Sequence, residues 1–184
     1  STQMTVHNLE GVLELEKLGF KRVVLSRELP INEIEYIRNN CNIELEVFIH
    51  GALCISYSGQ CLFSSLVGGR SGNRGKCAQP CRLPYELLEA KNNKETSIDK
   101  GFLLSPRDLC SLDFLAELIK CGVSSFKIEG RMKTPEYVAT VTQIYRKYID
   151  KIVNDEEYTV SLEDKKELLQ VYNRGGFSLS LIHI

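Results

Sequence analysis

The periodicity of hydrophobic positions breaks once and then resumes. Through residue 51, short runs with strand character, STQMTV (1–6), KRVVLS (21–26) and IELEVFIHG (43–51), alternate with amphipathic stretches. Asn8 stands as a cap before Leu9, Val12, Leu13, Leu15 and Leu18, a helical stripe that stops at Gly19. Pro30 and Asn32 open a second helix through Ile34, Tyr36 and Ile37, ending near Asn39 and Asn40. Beyond the loop that follows, LLEAKNNKETSIDKG (87–101) is polar and lysine-rich and predicts a hairpin or an exposed loop. The alternation then returns. FLLS (102–105) predicts a strand, and SPRDL a helix through Leu109, Leu112, Leu115, Leu118 and Ile119. GVSSFKIEG (122–130) predicts a strand. Thr134-Pro135-Glu136 opens a long helix through Tyr137, Val138, Val141, Ile144, Tyr145, Tyr148, Ile149 and Ile152. Ser161 begins a last helix with Leu162, Leu168, Leu169 and Tyr172.

Strands alternating with helices predict right-handed βαβ units, a parallel sheet and an α/β fold: a partial (β/α) TIM-like barrel. Residue 1 is Ser and STQMTV reads as a strand already under way, while SLSLIHI ends the chain without a cap or turn signal. The expectation is a barrel truncated at its N-terminus and at its C-terminus. Residues 1–153 would form the C-terminal portion of the barrel domain with a cysteine-rich loop at 51–82, and 154–184 a helical extension. In such a fold the chemistry sits on loops following the carboxyl ends of strands, where the loop after IELEVFIHG and the EGR after SFKI both fall.

Composition narrows the function classes only locally. The 184 residues carry a formal net charge of -1, which by itself indicates neither a nucleic-acid nor a membrane partner. No apolar run approaches the ~18–20 residues that cross a bilayer, and no signal peptide is visible. Seven cysteines scattered among Lys- and Glu-rich helices fit a reducing, cytoplasmic setting better than a disulfide framework. Four of them, Cys54, Cys61, Cys77 and Cys81, fall within one glycine-rich loop. Between Glu46 and Glu86 that loop has no acidic side chain but carries Arg70, Arg74, Lys76 and Arg82.

Thiolates suit zinc, copper(I) and iron-sulfur clusters. Here six, fifteen and three residues separate successive cysteines, unlike a zinc ribbon with its short paired knuckles. The set is more easily read as a cluster wrapped by backbone amides, with Arg and Lys offsetting its charge; unpaired structural thiols and disulfides are the alternatives. Cys41, Cys110 and Cys121 read as small buried hydrophobes, with Cys110 a reserve ligand.

The run E-x-F-x-H-G-A-L-C-x-x-x-S-G-x-C-x-x-S-S from Glu46 to Ser65 closely resembles the signature of the collagenase-like peptidase family of unknown catalytic type, peptidase family U32. The resemblance continues through GGRSGNRGKCAQPCR (68–82), LLSPRDLC (103–110) and SFKIEGRMKTPEYVATVTQIYRKYID (125–150). Characterised bacterial members of that family include proteins needed for base hydroxylation in tRNA and rRNA and for hydroxylation in ubiquinone synthesis. The resemblance implies a [4Fe-4S] cluster on Cys54, Cys61, Cys77 and Cys81, tRNA or rRNA as partner and prephenate as hydroxyl source, with zinc the alternative metal and collagenase-like proteolysis the alternative activity. After YNRGGF, Ser178 still follows the family pattern, whereas 179–184 departs from it.

The residues themselves favour the hydroxylase branch. A peptidase needs a base-activated nucleophile or an activated water, and Ser64, Ser65 and His50 lack a third orienting group at a definite spacing. Lys127, Glu129 and Arg131 alternate on SFKIEGR and are expected on one face, toward the barrel interior, as a charged constellation. Glu46 and His50, with Phe48, are expected on one face of IELEVFIH and could assist proton transfer; Arg27 and Glu28 could line the same cavity. Arg70, Arg74, Lys76 and Arg82 could neutralise RNA phosphates as well as a cluster.

Overall fold

The structure is a computed structural model that describes residues 2–91 and 94–178, so the departure at 179–184, with His183, lies outside the described residues. In chain order the elements are α1 (Leu9–Lys17), β1 (Arg22–Val24), α2 (Ile31–Asn39), β2 (Glu44–Ala52), α3 (Phe63–Gly68), β3 (Tyr85–Lys91), β4 (Lys94–Gly101), β5 (Asp108–Cys110), α4 (Leu115–Lys120), β6 (Ser125–Ile128), α5 (Pro135–Val153), α6 (Leu162–Val171) and β7 (Phe177–Ser178). They fall into two compact units, residues 54–106 and the segments 1–53 and 107–184 on either side.

The larger unit is built on β2. Strands β1 and β6 pair with it in parallel, and β5 pairs with its last residues antiparallel. His50 is in register with Cys110 of β5 and with Ile128 of β6, so these two strands lie on opposite edges of β2. Short β7 adds to β5 in parallel. The sheet is therefore mixed, and among the described residues it does not close into a barrel.

Helices cover the sheet because their apolar stripes match its alternation. Leu45, Val47 and Ile49 of β2 join Val12 and Leu15 of α1, Ile34 and Ile37 of α2, Leu115 and Leu118 of α4, and the α5 stripe Tyr137, Val141, Ile144, Tyr145 and Tyr148 in one core. Full burial of each such aliphatic side chain stabilises the unit by roughly 1.5–3 kcal/mol. Local capping chemistry sets the helix starts. The Asn8 side chain accepts the Gly11 N–H, Thr134 accepts the Tyr137 N–H ahead of Pro135, and Ser161 accepts the Asp164 N–H. Asp164 in turn takes hydrogen bonds from Lys147, Ser161 and Tyr148, tying α6 to α5.

Three expected elements differ. Residues 2–4 form a 3-10 turn, not a strand, and FLLS carries no strand. The strand is Asp108–Cys110, where a helix had been expected, and that helix starts only after a 3-10 turn at Leu112–Phe114. Pairing with β2 overrides the Leu109–Leu112–Leu115 helical spacing.

The smaller unit contains α3 and the antiparallel hairpin β3–β4, one of the two forms expected for 87–101. The Phe63 ring of α3 lies 6.1 Å from that of Tyr85, whose hydroxyl donates to the Pro80 carbonyl.

Candidate functional site

In the smaller unit, α3 and two 3-10 turns, Gly72–Arg74 and Pro80–Arg82, fold the cysteine-rich loop back on itself. The Ser64 hydroxyl, buried in α3, accepts the Ala78 N–H at 2.9 Å, and the Gln79 N–H points at Cys77 Sγ, 3.3 Å away. All four thiols are free; Cys54 is exposed and the other three are half-buried. Burial pushes the Cys81 thiol up; Arg82 opposes this, and Cys54, Cys77 and Cys61 are all close enough to add to it. The loop thus keeps the other three thiols within electrostatic reach of Cys81. It does not draw them into a closed shell: among the described residues no three His, Cys, Asp or Glu side chains stand at metal-holding distance. Four thiols, an amide directed at one sulfur and a guanidinium beside another nonetheless form a donor set suited to a soft metal or a cluster.

The loop cations divide into two kinds. Arg70, Arg74 and Lys76 are exposed, with Arg70 Nε donating to the Lys76 carbonyl. Arg82 is half-buried and donates to Ser105 Oγ and to the Pro106 carbonyl, both at 2.9 Å, so it braces the chain's return from the hairpin. Ser64, considered as a nucleophile on sequence grounds, is committed to the Ala78 amide.

In the larger unit, Glu46 is an ion-pairing centre. Its carboxylate lies 3.4 Å from Lys127 Nζ and 3.6 Å from Arg22, and it accepts a hydrogen bond from Ser125 Oγ. Phe48 carries Lys127 and Arg27 over its ring at 5.3 and 5.6 Å. Arg27 also donates to the Ala52 carbonyl. Glu46, Phe48, Arg27 and Lys127 thus come together, a grouping that joins residues expected in two separate sets.

Two expectations need correction. A bulge between Phe48 and His50 breaks the alternation of β2, so His50 does not share the Glu46 and Phe48 face. Its ring sits instead among Tyr137 and Tyr145 of α5 and Phe177, with centroids 6.1, 5.5 and 5.3 Å away. His50 is 1% exposed, and burial lowers its pKa to about 4. Nor does strand alternation carry from Lys127 and Glu129 on to Arg131. Strand β6 ends at Ile128, the Glu129 N–H donates to the His50 carbonyl, and the chain then turns through Met132 at φ 60°. The Glu129 carboxylate accepts the Arg131 N–H at 3.1 Å.

Sequence reasoning missed Tyr145, Asp108 and Arg174. The Tyr145 hydroxyl donates to the Ile49 carbonyl at 2.9 Å and accepts the Ser111 N–H at 3.1 Å; Cys110 Sγ and His50 Nδ1 lie 3.7 and 3.3 Å from it. Asp108, fully buried, accepts a hydrogen bond from Arg174 at 2.7 Å. The polar Asp in LLSPRDLC and the Arg in YNRGGF were signals of a buried pair, but nothing local joined them. Gly51 is required by close approach: at φ +102°, a Cβ there would lie 2.3 Å from the Glu129 carbonyl oxygen.

The sequence profile of the family described as Peptidase family U32 matches residues 1–183. A Bacillus subtilis protein named tRNA hydroxylation protein P1 is 40% identical over 179 residues, which make up 95% of this chain and 42% of that one. An Escherichia coli protein named as a 23S rRNA 5-hydroxycytidine synthase is 44% identical over 155 residues, covering 84% of this chain and 23% of its own. A Porphyromonas gingivalis protein named collagenase is 35% identical over 188 residues, covering 95% and 45%. The chain thus spans less than half the length of each of these relatives. No solved structure matches.

Proposed function

The chain belongs to peptidase family U32, and on that premise we propose that it is part of an RNA-modifying enzyme that hydroxylates a base of tRNA or rRNA. The observation that carries this reading is the loop of the smaller unit: four free thiols in a span without acids that exposes Arg70, Arg74 and Lys76. Relatives named for tRNA and rRNA hydroxylation support it.

Cys54, Cys61, Cys77 and Cys81 would hold a [4Fe-4S] cluster, with zinc as the alternative. Bound there, the cluster would supply one-electron redox chemistry. Arg70, Arg74 and Lys76 neutralise RNA phosphates, an electrostatic role that asks for exposure and tolerates mobility. Arg82 maintains the fold of the loop through Ser105 and Pro106. Arg27 and Lys127, both over the Phe48 ring, would supply positive charge to a bound anion, and prephenate, the hydroxyl source the family resemblance implies, belongs to that class. No helix among the described residues is long and apolar enough to cross a membrane.

The peptidase alternative rests on the collagenase relative. Against it, Ser64 is buried with its hydroxyl engaged by Ala78, a poor arrangement for an activated nucleophile. Anaerobic purification of the full-length protein tests the proposal. It predicts a brown protein with about four irons and matching sulfide per chain; colourless, iron-free protein that still hydroxylates RNA would refute the cluster assignment.

A further inference from the structure

Among the buried side-chain atoms of the larger unit without a hydrogen-bond partner among the described residues are Ser26 Oγ, His50 Nε2 and Asp108 Oδ2, and the last two stand on paired strands. His50 is 1% exposed and Asp108 0%. A buried polar atom without a partner costs about 1–3 kcal/mol, so two on neighbouring strands call for a shared explanation.

Register puts them together. His50 is opposite Cys110 and Ala52 opposite Asp108, and side chains two residues apart on a strand share a face. His50 and Asp108 are therefore diagonal neighbours on one face of the β2–β5 pair, a spacing of about 7–8 Å between residues and less at Cβ, within reach of long side chains. Tyr145 marks that face, with its hydroxyl near both His50 Nδ1 and Cys110 Sγ. Phe177, in register with Asp108, closes over the His50 ring.

The hydrogen bonds also set what the pair can bind. Tyr145 has one hydroxyl proton, and its nearest and strongest acceptor is the Ile49 carbonyl at 2.9 Å. His50 Nδ1, at 3.3 Å, must then carry its own proton and donate to the Tyr145 oxygen, which leaves Nε2 as a lone pair. Asp108 already has its charge matched by Arg174 through Oδ1. The site is short of donors, not of charge.

We propose that His50 Nε2 and Asp108 Oδ2 form a two-acceptor subsite for a small neutral hydrogen-bond donor, an O–H or N–H group, with Tyr145 as the positioning residue that fixes the His50 tautomer. Burial on all sides restricts the occupant to a few heavy atoms. The acceptor pair stands on register, burial and hydrogen-bond geometry, independently of the thiol loop.

The test is NMR of the full-length protein labelled with 15N-histidine. At neutral pH, long-range 15N–1H correlations of His50 are expected to show protonated Nδ1 and bare Nε2, and Tyr145→Phe should shift the ring toward the other tautomer. Titration with formamide, which has N–H donors, should move the Nε2 resonance saturably, whereas N,N-dimethylformamide, which has none, should not. Asp108→Asn, which keeps the shape but supplies its own donor, should weaken the formamide response at least tenfold. A protonated Nε2 in the wild-type protein, an equal response to both amides, or no response to either overturns the proposal, even where a variant fails to fold. None of these outcomes bears on RNA hydroxylation, so the two readings fail separately.

Discussion

His50 and Tyr145 meet inside the core, with Nδ1 3.3 Å from the hydroxyl, because a bulge in β2 turns the imidazole toward α5. The same hydroxyl bonds the Ile49 carbonyl and the Ser111 amide, so one atom of α5 reads the end of β2 and the exit from β5. Removing it in Tyr145→Phe leaves the buried His50 Nδ1–H without an acceptor. The expected loss is about 2 kcal/mol in urea unfolding; an unchanged midpoint would show that the hydroxyl is dispensable.

Gly51 allows β2 and the chain after β6 to touch. Gly51→Ala places a Cβ against the Glu129 carbonyl in a backbone conformation that L-residues rarely adopt, and should cost more than about 3 kcal/mol. Gly69→Ala, also at positive φ but with nothing within 4 Å, should cost only about 1–2 kcal/mol. Thermal unfolding of the two variants side by side checks the contrast.

Acid should act on His50 before it acts on the carboxylates. The folded-state pKa, about 4, lies below the ordinary value of 6.5, so the unfolded chain binds the proton more readily. The contribution is complete above pH 6.5 and is lost as pH falls from there toward 4, amounting to roughly 3 kcal/mol. Asp164, lowered to about 2 by Lys147, Tyr148 and Ser161 against the cost of burial, loses its contribution in a separate window below the ordinary 3.8. Urea unfolding across pH 7 to 4 should show the first slope in wild type and a flatter one in His50→Gln.

The loop cations should separate by role. Replacing Arg70, Arg74 and Lys76 together by Ala should weaken RNA binding with little loss of stability, and lower the salt slope of log K by about 2. Arg82→Ala should instead destabilise the smaller unit, because it removes the bonds to Ser105 and Pro106. Filter binding at several salt concentrations, paired with unfolding curves, distinguishes the two.

What was legible in the sequence was what local chemistry decides. Asn8, Thr134 with Pro135, and Ser161 announced their helices because a cap is made within three residues. The clustering of Cys54, Cys61, Cys77 and Cys81 was equally plain, since one loop carries them all. What stayed hidden depends on distant partners. Asp108–Cys110 is a strand only because β2 pairs with it, and its leucine spacing pointed to a helix. Strict alternation placed His50 beside Phe48, and one bulge reversed that. The short α3 has neither a side-chain cap nor a long stripe to declare it. Asp108 and Arg174 are joined across 66 residues, a separation no local pattern spans.

The central claim is that the thiol loop serves hydroxylation of RNA. The most direct measurement is mass spectrometry of tRNA and rRNA nucleosides from a strain lacking the gene, complemented with the full-length wild type or with Cys54→Ser, Cys61→Ser, Cys77→Ser or Cys81→Ser. A hydroxylated pyrimidine nucleoside should disappear on deletion, return with the wild type, and stay absent with each thiol variant. Unchanged nucleosides on deletion, or full restoration by all four variants, would contradict the account.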